Sequence, residues 1–109
     1  MNDKIAITDG KGFQFTVGNL TLSVQIGHGN YCSRQDYSKF GPETERIIKS
    51  VDCEIAIWTE PNQVWVTKKV VKKVLGEILS DDVMGWVTPL QVGKLITWMA
   101  KQAIKMEDN

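Results

Sequence analysis

Three residues of this chain have the widest chemical repertoire: its single histidine, His28, and its two cysteines, Cys32 and Cys53. His28 stands four positions before Cys32, a spacing that invites a thiol–imidazole pair. A nucleophile of that kind needs its base within hydrogen-bond reach and a third group to orient the base. The sequence offers no assignable third group. A four-ligand zinc site of Cys and His needs four such side chains, and three exist. No apolar core of a secretory signal opens the chain, so the expected compartment is reducing and both cysteines are expected as free thiols. No Ser-His-Asp order and no paired-carboxylate acid/base arrangement stands out. The expectation is a protein with no enzymatic activity, no metal and no cofactor.

The remaining chemistry is that of binding. Gly27-His28-Gly29-Asn30 has the look of a phosphate loop, but it lacks the P-loop spacing and the following GK[ST]. As a ligand loop it would offer His28, Asn30, Tyr31 and Arg34 as polar contacts. Lys68, Lys69, Lys72 and Lys73 form a basic cluster whose default reading is a solvated helix face, with binding to an acidic partner or to nucleic acid as the alternative. Four tryptophans are present, at 58, 65, 86 and 98. Large aromatics partly outside a core are common at protein interfaces. Trp58 shares a strand face with Glu54, so Trp58 and Trp65 are the aromatic candidates for contact with a partner.

These groups are positioned by a small set of elements. Residues 1–12 are polar, and within them Ile5-Ala6-Ile7 alone alternates. Phe13–Val17 and Leu20–Ile26 alternate with period two, the signature of half-buried strands, and Gly18-Asn19 between them suits a two-residue hairpin turn. Residues 27–50 read as a long loop, with Pro42 fit to open a short helix. Cys53–Trp58 and Gln63–Thr67 read as a second hairpin around Glu60-Pro61-Asn62. In 68–79 the apolar positions 70, 71, 74, 75, 78 and 79 follow one helical face, which predicts a short amphipathic helix; an extension of the preceding strand is the competing reading. Thr88-Pro89-Leu90-Gln91 is a helix start with a capping box. Val92, Leu95, Ile96, Met99, Ala103 and Met106 continue it at helical period over about 89–106. The expected fold is α+β in one domain: about four antiparallel strands in two hairpins, with the C-terminal helix on one face.

The 109 residues include 13 basic and 13 acidic side chains. Zero net charge argues against non-specific coating of nucleic acid, which rests on a surplus of Lys and Arg. The balance is a cancellation: residues 1–66 sum to −2 and residues 67–109 to +2. No apolar run reaches the roughly 18 residues of a membrane span, so no membrane partner is expected.

Three stretches taken in order resemble a group of small phage and prophage proteins of uncharacterised role. They are Leu20–Gly27 followed by Gly29-Asn30-Tyr31-Cys32-Ser33; Glu54-Ile55-Ala56-Ile57-Trp58; and Asp82-Val83-Met84-Gly85-Trp86-Val87-Thr88-Pro89 leading into an apolar helix. The resemblance covers about residues 13–104. It implies a phage origin and a place in the host cytoplasm, and it carries no catalytic residue. By analogy with other small phage proteins, the expected function is stoichiometric binding of a host protein, including inhibition of a host defence. Sequestering a small nucleotide signal is the alternative, and a free strand edge or Trp face allows a homodimer.

Overall fold

The computed structural model describes residues 3–8, 11–27, 30–33 and 49–107. It is α+β. Strands β1 (Lys4–Thr8), β2 (Gly12–Val17), β3 (Leu20–Gln25), β4 (Cys53–Thr59) and β5 (Met84–Val87) form one antiparallel sheet in the order β1-β2-β3-β4-β5. Helix α1 (Thr67–Leu75) joins β4 to β5, and α2 (Pro89–Glu107) follows β5. Both helices cover the same sheet face.

Alternation decides which face that is. Leu22 and Val24 on β3 share a side with Ile55 and Ile57 on β4. They meet Val70 and Val71 of α1 and Leu95 and Met99 of α2 in one core. Leu22, Ile57, Val71, Leu95 and Met99 are fully buried. Each such side chain contributes about 1.5–3 kcal/mol by leaving water. The β2–β3 turn is Gly18-Asn19, with φ +61° at Gly18. Positive φ at the first loop residue alone is what a type II′ hairpin requires. The capping box of α2 forms in both directions: the Thr88 backbone N–H donates to Gln91 Oε1 at 3.0 Å, and the Gln91 N–H donates to Thr88 Oγ1 at 3.2 Å.

The sheet has five strands where about four were expected, and the membership differs. β1 lies in the segment read as polar. It escapes a hydropathy reading because it is an edge strand beyond the helices, leaving Ile5 72% and Ile7 83% exposed. Residues 63–67 alternate but build no strand. Their pairing with β4 is reduced to a single bridge between Trp58 and Trp65. The Thr67 side chain then takes over the next ladder position, accepting the Ile57 N–H at 2.8 Å. From Thr67 the helical period wins, and α1 runs only to Leu75 rather than to 79. Gly76, at φ +73°, closes it with a left-handed cap whose N–H reaches the Val71 and Lys72 carbonyls. The expected helix at Pro42 lies outside the described residues.

Candidate functional site

β5 is the irregular strand, and its irregularity builds the site. Ile55 pairs with Met84 and Cys53 with Val87, so two steps along β4 match three along β5. A three-residue step in a regular strand puts its ends on opposite faces. Here Met84 and Val87 both enter the core, 7% and 0% exposed. The extra residue is a β-bulge, a device that re-aims side chains and occurs often beside functional sites. Trp86 sits in it at φ +52°. A bulky residue in that left-handed region costs on the order of 1–3 kcal/mol. The consequence is that Trp86 turns outward and is 58% exposed.

Tyr31 meets it there. The two rings stack with centroids 5.9 Å apart and planes at 27°. The Trp86 N–H donates to the Tyr31 carbonyl at 2.8 Å. The Tyr31 N–H in turn donates to Glu54 Oε2 at 3.0 Å. Gly85 lets the two backbones come this close, because a Cβ there would stand 2.6 Å from Tyr31 Cβ. Below Tyr31 the chain is pinned again: Asp52 accepts from the Ser33 N–H at 2.6 Å and from the Ser33 hydroxyl at 2.7 Å. Tyr31 and Trp86 form one wall of a cavity of about 310 Å³, which Glu77, Ser80, Asp81 and Gly85 also line. No lysine or arginine lines it. An aromatic wall with carboxylates on its rim suits a cationic group, which gains from the ring faces and from the negative charge together.

The other residues singled out from sequence fall elsewhere. Asn30 closes a tight turn, its Nδ2 donating to the Ile26 carbonyl at 3.2 Å. His28 and Arg34 lie outside the described residues. Trp58 and Trp65 pair at the far end of β4, with centroids 5.4 Å apart and planes at 42°. Trp58 Nε1 donates to Glu60 Oε1 at 3.0 Å, and Thr21 Oγ1 donates to the same oxygen at 2.8 Å. Thr21 spends its one proton on that carboxylate, so the 2.8 Å contact between Thr16 and Thr21 has Thr16 as donor. These two donors hold the Glu60 carboxyl below its ordinary value. Lys68, Lys69, Lys72 and Lys73 lie exposed on α1, with Lys73 Nζ 6.0 Å above the Trp98 ring.

Both cysteines are free and buried. Cys32 is 2% exposed, with its thiol turned to the Gly27 carbonyl at 3.9 Å. Reactive cysteines are ordinarily partly exposed, which Cys32 is not. Burial, with the charge of Asp52 adding to it, pushes the Cys53 thiol up to about 12, so it stays protonated. Among the described residues no group of three or more His, Cys, Asp and Glu side chains is arranged to hold a metal, and no helix is long and apolar enough to cross a membrane.

Trp86 is the residue of this candidate site that sequence reasoning did not single out as a contact. Its signal was the glycine before it. A Gly-Trp step in a connector marks a close backbone approach beside a large side chain, and here that approach is to Tyr31. Comparison of the chain with protein families, with curated proteins and with solved structures finds no match.

Proposed function

We propose that this protein acts by stoichiometric binding, without catalysis, and that Tyr31 and Trp86 form the contact with its partner. The observation that carries this reading is the bulge in β5. The fold accepts a strained backbone at Trp86 and returns Val87 to the core, and the net product is an outward tryptophan stacked on an outward tyrosine. Tryptophan and tyrosine are over-represented among the residues that dominate interface energetics. The carboxylates of Glu77 and Asp81 on the rim select a partner segment carrying arginine or lysine. Taken with the resemblance to small phage proteins, the partner is a host protein in the cytoplasm, and the outcome of binding is inhibition, with a host defence component as the target. A nucleotide is a poorer occupant of this site, because its phosphates would meet Glu77 and Asp81 with no cation among the lining residues.

The test is affinity capture from lysate of the phage host, with parent, Trp86→Ala and Trp65→Ala proteins immobilised at equal density. Parent and Trp65→Ala are expected to retain the same host protein. Trp86→Ala is expected to lose at least about 2 kcal/mol of binding, roughly thirtyfold in affinity. Asp81→Lys should weaken capture as well. Equal retention by Trp86→Ala and parent would refute the reading.

A further inference from the structure

A second cavity lies elsewhere, along α2 and against α1. It measures about 520 Å³ and is lined by Val74 of α1 and by Leu90, Gly93, Lys94, Trp98 and Lys101 of α2. Its floor is apolar: Leu90 is 70% exposed, and Trp98 and Val74 are half-buried. Its rim is basic. Lys94 and Lys101 stand on α2, and Lys73 reaches over the Trp98 ring from α1. Helices α1 and α2 together carry seven lysines and one acidic residue, Glu107 at the very end.

Gly93 adds an independent observation. Glycine is the poorest helix former after proline, and Gly93 stands within α2. No packing demands it, since a Cβ built there meets nothing within 4 Å. An unfavourable residue facing open space keeps that space open. Shape then narrows the occupant. The lining runs from Pro89 to Lys101, which at 1.5 Å per residue is about 18 Å of helix. A lining that extends that far along one helix fits an elongated segment better than a compact small molecule. Lys94 and Lys101 are seven residues apart, about 10 Å along the axis. Carboxylates seven residues apart on a second helix have the same separation.

We propose that the α1–α2 groove docks an acidic amphipathic helix of a partner protein. Its apolar side chains sit on Val74, Leu90 and Trp98, with Gly93 admitting the close approach of its backbone. Its carboxylates face Lys73, Lys94 and Lys101. This surface is separate from the Tyr31–Trp86 site and does not rest on it.

The probe is a fluorescein-labelled amphipathic helical peptide of about 15 residues, with leucines on one face and glutamates seven apart beside it; a control peptide carries lysine in place of each glutamate. Fluorescence anisotropy is expected to show the acidic peptide binding at least tenfold more tightly than the control. Gly93→Glu, which fills the groove with like charge, should weaken the acidic peptide at least tenfold while Tm stays level or rises. Lys94→Glu with Lys101→Glu should invert the preference between the peptides. Equal binding of both peptides, no binding at millimolar peptide, or full binding by Gly93→Glu would overturn the proposal. So would ATP or a single-stranded RNA that binds in a Gly93-dependent way more tightly than the acidic peptide, which would assign the groove to a free anion or to nucleic acid.

Discussion

Two aromatic pairs sit at opposite ends of β4, and they are held in opposite ways. Trp58 belongs to a closed network: Trp58 and Thr21 both donate to Glu60, Thr16 donates to Thr21, and Thr16 and Thr21 are 3% and 1% exposed, while Trp65, itself 49% exposed, joins only through its ring against Trp58. Tyr31 and Trp86 are held mainly by backbone contacts and a bulge, and the two residues are left 52% and 58% exposed. At the first pair polar side chains are satisfied inside the protein and the backbone at Trp58 is regular. At the second the backbone is strained and the rings face outward. The contrast separates a clasp held by side-chain hydrogen bonds from an outward surface proposed to meet a partner, although both would score alike as surplus aromatics in a composition.

The comparison breaks most visibly at Trp58. Trp58→Ala removes a half-buried ring and one of the two donors to Glu60, and should cost about 2–3 kcal/mol in urea unfolding. Thr21→Val keeps the shape and deletes the hydroxyl that links Thr16 to Glu60. It should cost about 1–2 kcal/mol, because the Thr16 hydroxyl is left buried without its acceptor. The smallest effect is on pH. Because the Glu60 carboxyl is held below its ordinary value of 4.5, its contribution is complete above that value and fades as pH falls through the lowered one. Trp58→Phe, which retains a ring and loses the N–H donor, should lower Tm most in the neutral region, where the contribution is complete, and least in acid, so that the acid limb of a Tm-against-pH curve flattens. An unchanged acid limb would remove Glu60 from the clasp.

What the sequence disclosed follows from where local and global preferences agree. The β2–β3 hairpin and the capped start of α2 were legible because alternation, turn residue and cap all point one way over a few neighbouring positions. β5 was not legible, since the bulge places both Met84 and Val87 in the core and leaves no period to read. The false strand at 63–67 alternates well, but Thr67 spends its hydroxyl on the Ile57 backbone and starts a helix instead. The candidate site divides similarly. Tyr31 was visible as a polar aromatic in a glycine-rich loop. Trp86 was not, because its outward turn is set by the register between two strands far apart in the chain. The loop and the lysines, both offered from sequence as binding candidates, meet different surroundings. Tyr31 and Ser33 bond carboxylates, whereas Lys73 covers Trp98.

The central claim is that Trp86 is displayed for binding and not for folding, and the unfolding free energy of Trp86→Gly tests it most directly. Glycine takes the left-handed backbone of the bulge without strain, which offsets the lost ring stacking and the added freedom of the unfolded chain. The stability of Trp86→Gly in urea is therefore expected to stay within about 1 kcal/mol of the parent, on either side. A loss of about 2 kcal/mol or more would show the ring to be part of what holds the fold, and would contradict the account.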